Sequence, residues 1–275
     1  MLKKLLKYDF RSVFKYWWIA AISSLALCVV GGVCINVLQV KRELPAVVDS
    51  CATLAIVLSV LSLVAFSLLS TILIFTRFYK NFFTDEGYLT FTLPVKRSEL
   101  LNSKLIMSVT AMITTLAAVA FNLGVMLCVG FSEKVFTKEF WNSIITLCRE
   151  LIKELGAYIV VYLIEWIIIG VLLLVLSTLF LYGCITFASI ITKKARVITA
   201  IGIYYGVNSI FSFAIQIFTL FCANGILDRI AAVAENAQHF VLALVLLGII
   251  VLLLTFCSIL YTYQYWMLDR KLNLA

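Results

Sequence analysis

Few residues of this chain have the types and spacing that chemistry needs, and most of them fall in one stretch. TDEGYLTFTLPVKRSELL, residues 84 to 101, holds Asp85, Glu86, Gly87, Tyr88, Pro94, Lys96, Arg97 and Glu99 between two long apolar runs. Elsewhere there is one histidine, His239, and no HExxH, GxSxG or GxxxxGK[ST] pattern. A lone histidine at a span boundary is read as a boundary residue. The eight cysteines (28, 34, 51, 128, 148, 184, 222 and 257) contain no CxxC and fall mostly in apolar runs. They read as small packing residues rather than as ligands or a disulfide framework. One bridge among Cys51, Cys148 and Cys222 is the pairing that outer-side placement allows. No catalytic, cofactor-binding or metal-binding residue is expected, and the chain is not expected to be an enzyme.

What must position the polar stretch is membrane-spanning structure. The 275 residues are 64% hydrophobic and 13% charged, against roughly 25% charged in soluble domains. The mean hydropathy is +1.10. Apolar runs long enough to cross a bilayer recur, and the period-two alternation of barrel strands is absent. The fold class expected is all-α, a single polytopic membrane domain over 1–275. Its six spans are read near 16–38, 52–75, 105–131, 165–191, 197–222 and 240–267. The fourth run is too long for one untilted span, so 139–164 is read as an outer-surface or re-entrant segment. The first apolar run is too long for a cleavable signal. Before it, MLKKLLKYDFRSVFKYWW places leucines and aromatics on one helical face and lysines and arginine on the other. That pattern predicts an N-terminal interfacial amphipathic helix; the plainer reading is a basic flank that orients span one.

Six spans put both ends on one side. That side carries fifteen Lys and Arg, and the other carries seven. The positive-inside rule makes both termini cytoplasmic, in a plasma membrane. The net charge of +8 is thus a topology signal, and no basic patch with interleaved aromatics points to nucleic acid. The 84–101 stretch faces the cytoplasm within the longest inner loop, 76–104. Two features inside the membrane stand out. Tyr204, Asn208, Ser212 and Gln216 recur at i+4 along span five, as a polar stripe that serves either as interhelical glue or as path lining. Glu165 is the lone acid of the fourth run, either an interfacial anchor beside Trp166 or a functional buried acid. Gly31, Gly32 and the serines of span two read as packing residues.

Within the inner loop, Gly87 permits a sharp bend, and Pro94 can begin a helix but not continue one. PVKRSELL can form about two turns, a short cytoplasmic helix at 94–101 that is either a docking element or a mere link. The loop is longer than a link needs. The segment RFYKNFFTDEGYLTFTLPVKRSELLNSK resembles the first cytoplasmic loop of ABC transporter permeases of the type-2 exporter class, in a group found in Gram-positive bacteria. MLKKLLKYDFRSVFKY is similar to that group's N-terminal interfacial helix, KKARVITAIGIYYGVN to its fifth span, and DRKLNLA to its basic tail. The turn TKKAR is shorter than the corresponding turn of the group.

The resemblance implies the transmembrane half of an ATP-driven exporter. Two such halves, identical or not, would pair in the bilayer, each docked on a separate ATPase subunit that binds ATP and Mg. The 94–101 helix, with Lys96, Arg97 and Glu99, would enter a groove of the ATPase. Asp85, Glu86, Gly87 and Tyr88 would brace it against the N-terminal helix. The segment 139–155 and the loop 226–238 would cap the exit. Two other classes stay open: an ATP-independent membrane scaffold or immunity-type binder, and a channel.

Overall fold

A computed structural model describes the backbone except at residues 1, 41–44, 84–96, 136, 157, 193–195, 232–234 and 271–275. Among the described residues eight helices follow in order: α1 (Leu2–Val40), α2 (Ala46–Phe83), α3 (Arg97–Gly130), α4 (Ser132–Val135), α5 (Lys138–Leu155), α6 (Tyr158–Ile191), α7 (Arg196–Ala231) and α8 (Glu235–Arg270). Among the described residues there is no strand. Six of the helices, α1, α2, α3, α6, α7 and α8, are long and apolar enough to cross a membrane. This is the architecture of a multi-pass membrane protein.

Three element boundaries differ from the sequence reading. The amphipathic opening and the first span are one continuous helix of 39 residues. No glycine or proline separates them, so nothing interrupts the hydrogen-bond ladder. At about 1.5 Å per residue α1 is nearly twice as long as a hydrocarbon core of about 30 Å is thick. The expected short helix at 94–101 is not separate either. Residues Arg97 onward form the first turns of α3, which runs unbroken to Gly130, because SELLNSKLIM contains no breaker. Residues 84–96 lie outside the described residues. Finally, α5 ends at Leu155, and the amide of Gly156 donates to the Ile152 carbonyl at 3.0 Å. Gly156 has φ +53°, the left-handed conformation that closes a helix and that glycine adopts without a Cβ clash. α6 then starts at Tyr158, so 158–164 belong to the fourth span rather than to the outer segment.

The chain forms two compact units. The first comprises Met1–Phe78 and Ile106–Leu151, the second Tyr79–Leu105 and Ile152–Ala275. α2 and α3 therefore each contribute a body to the first unit and an end to the second.

In the first unit, Trp17, Ala21 and Phe66 form one buried cluster, and Cys28, Leu63 and Met126 form another. Backbones approach closely there. A Cβ on Gly31 would lie 2.7 Å from the Ser59 Cβ, and one on Gly32 would lie 2.7 Å from the Met126 carbonyl oxygen. Only glycine fits these crossings, which confirms the packing role read for both. Polar side chains bond across the same helices. The Trp17 indole donates to the Thr115 hydroxyl at 2.9 Å, and the Asn122 amide to the Ser24 hydroxyl at 2.8 Å. The Arg77 guanidinium meets the buried Asp9 carboxylate at 3.3 Å.

Candidate functional site

The second unit holds the flanks of the polar loop. α2 ends in it with Phe82 and Phe83, both buried, and α3 begins in it at Arg97. Glu99 lies in the first turn of α3, where the helix dipole favours an acid. Arg97 is exposed and Glu99 half-buried. One turn further the helix is held tightly. Leu100, Leu101, Ser103 and Lys104 are all buried. The Tyr182 hydroxyl of α6 donates to the Lys104 carbonyl at 3.2 Å. The Tyr261 hydroxyl of α8 donates to the Asn102 side-chain oxygen at 2.9 Å. The first turns of α3 are thereby tied to α6 and α8 by two hydrogen bonds. The other loop residues read as functional, Asp85, Glu86, Gly87, Tyr88, Pro94 and Lys96, lie outside the described residues.

Near the same depth on α8, Gln264 is fully buried. Its amide donates to the Leu179 carbonyl at 2.9 Å, and its Oε1 has no hydrogen-bond partner. Gly183 leaves room for it, since a Cβ there would sit 3.4 Å from Nε2. Sequence reasoning missed Gln264. A single glutamine in the run LYTYQYWM carries no periodic signal, and its role follows only from which face of α6 it meets.

The polar stripe of α7 divides. Tyr204 is half-buried, its ring 5.6 Å from Phe180 of α6. Asn208, Ser212 and Gln216 are exposed, and the Gln216 amide reaches the Ser212 hydroxyl at 3.5 Å. Glue between helices of this chain therefore accounts for Tyr204 and not for the other three.

At the other end of α6, Tyr158, Tyr162 and Glu165 recur at i, i+4 and i+7, on one helical face. The Tyr162 hydroxyl donates to the His239 carbonyl at 3.0 Å and lies 3.2 Å from His239 Nδ1. Tyr158 stacks on the His239 ring at 5.4 Å. His239 is thus a partner of two tyrosines as well as a boundary residue. Glu165 is only 8% exposed, and its Oε2 has no hydrogen-bond partner. No other Asp, Glu, Lys or Arg occurs in Tyr158–Ser189, Ile198–Ile217 or His239–Met267. Glu165 is thus a buried acid, whereas its neighbour Trp166 is exposed.

Among the described residues the cysteines are free, and no group of three His, Cys, Asp or Glu side chains could hold a metal. The chain matches no protein family, no curated protein and no solved structure.

Proposed function

We propose that this chain is the permease subunit of an ATP-driven exporter, with both termini and the 84–101 loop in the cytoplasm of a bacterial cell. It forms half of a translocation path and binds no nucleotide. ATP and Mg are held by a separate ATPase subunit that docks on the loop. A second permease, identical or not, completes the path, and the exposed Asn208, Ser212 and Gln216 face that second permease or the path itself. The observation that carries the reading is the anchoring of the loop's exit turn. A surface link needs no purchase on the spans, whereas Asn102 and Lys104 are tied to α8 and α6 by tyrosine hydroxyls. That is the arrangement expected of a segment that receives force.

The test is purification of the tagged chain from its native membrane, followed by identification of what accompanies it. A Walker-loop ATPase should accompany the wild type and be depleted in the Arg97→Glu variant. Recovery of the chain without any ATPase, with function intact in Arg97→Glu and Pro94→Ala, would overturn the exporter reading in favour of a scaffold or channel.

A further inference from the structure

Among the described residues α5 is the one long helix that does not qualify as a span. It has no buried residue, yet its sequence, KEFWNSIITLCRELIKEL, separates cleanly by face. At 100° per residue the apolar side chains and Cys148 fill one arc of about 160°, and every charged or polar residue falls in the opposite arc. Phe140, Trp141, Ile145, Leu151 and Ile152 on the apolar arc are all exposed. Among the described residues nothing covers this face.

The chain itself indicates what does. Leu155 is three residues from Tyr158, where α6 begins, a reach of at most about 10 Å. At its other end α5 follows the end of α3 at Gly130 by a few residues and the single turn of α4. Both ends are therefore held at the level where apolar spans meet water. Six charges in 18 residues keep the helix out of the hydrocarbon. Those charges are three bases and three acids, so there is no net attraction to a protein surface of either sign.

We infer that α5 lies in the plane of the membrane, on the face where α6 begins, with its apolar arc sunk into the boundary between headgroups and acyl chains. The polar arc adds a second feature. Lys138, Arg149 and Lys153 form one edge of it, and Glu139, Glu150 and Glu154 form the other. The long basic side chains run along the lipid and reach its phosphates, while the acids are repelled by them. The helix is consequently rolled about its axis, with the basic edge deeper than the acidic edge. Because the charges cancel, insertion does not require anionic lipid.

The full-length protein in nanodiscs of phosphatidylcholine, with and without phosphatidylglycerol, tests this. A nitroxide on Cys148, with the other cysteines replaced, should collide with oxygen several-fold more than with a water-soluble nickel chelate in both lipids. A label at Asn142→Cys, on the basic edge, should sit deeper than one at Ser143→Cys, on the acidic edge. If Cys148 favours the nickel chelate, the helix stands clear of the membrane. If it is immobile and shielded from both reagents, a second copy or a partner protein covers it. Either result overturns the inference, and equal depths at 142 and 143 overturn the roll. Should the cysteine-replaced background fail to fold, brominated-lipid quenching is read on the unmodified chain. A smaller quenched signal in Trp141→Phe, over the background of the other four tryptophans, supports the inference, and a quenched signal unchanged in that variant contradicts it.

Discussion

Side chains bond across helices in both units, but the units differ at their glycines. In the first, backbones touch: Gly31 and Gly32 bring α1 against Ser59 and Met126 with no room for a Cβ. In the second, long side chains bridge the helices: Tyr162, Tyr182, Tyr261 and Gln264 each bond to a group on another helix. In the second unit Gly170, Gly202, Gly206 and Gly248 have nothing within 4 Å of where a Cβ would stand, and Gly183 meets only the Gln264 side chain, at 3.4 Å. Close backbone contact fixes a crossing to within a fraction of an ångström, because interiors tolerate little overpacking. A hydrogen bond at the end of a tyrosine can persist while its helix shifts or be remade after it does. The contrast predicts a more rigid first unit and a more adjustable second, the one that carries both flanks of the polar loop.

The largest effect should come from attacking a close crossing. Gly32→Leu is predicted to destabilise the protein by about 2–3 kcal/mol, read as a fall in the thermal midpoint in detergent; little change would mean that the crossing is not tight. Next is the unmatched acid. Glu165→Gln keeps the shape and removes an ionisable group from an apolar site, and is predicted to stabilise by about 1–2 kcal/mol. A drop in the midpoint would show that the carboxyl has a partner. Smaller still, Tyr261→Phe and Tyr182→Phe should each cost about 0.5–1.5 kcal/mol. On the proposed function they also weaken ATP-dependent export while the ATPase remains bound. The smallest change is Gly206→Ala, where an open site and better helix propensity predict a gain of about 0.5 kcal/mol. A loss there comparable to that of Gly32→Leu would erase the distinction between the units.

The six spans were legible because hydropathy over some twenty residues is a strong signal in itself. The amphipathic pattern of α5 is also present in the sequence, but 139–164 is set apart there only because the fourth run is too long for one span. The role of Gly31 and Gly32 was legible from residue size alone. Helix ends were less so. Nothing in KYWWIAAISS or SELLNSKLIM marks a break, and reading MLKKLLKYDFRSVFKYWW and 94–101 as separate helices placed joints after them where the described backbone has none. The Tyr162–His239 pair and the burial of Glu165 were out of reach. They depend on the register of α6 against α8, and the pair spans 77 residues of sequence. The spacing of Tyr158, Tyr162 and Glu165 does mark a shared face, and it is the one sequence signal from which that cluster could have been built.

The central claim is that the polar loop receives force from a soluble ATPase and hands it to the second unit. Arg97 is the described residue nearest that contact, exposed at the start of α3. A photoreactive benzoylphenylalanine placed at position 97 in the full-length chain, irradiated in native membranes, tests the claim directly. The account predicts one covalent adduct, with a Walker-loop protein, whose yield changes when ATP is replaced by a non-hydrolysable analogue. Adducts only with lipid, or with no protein at all, would contradict it.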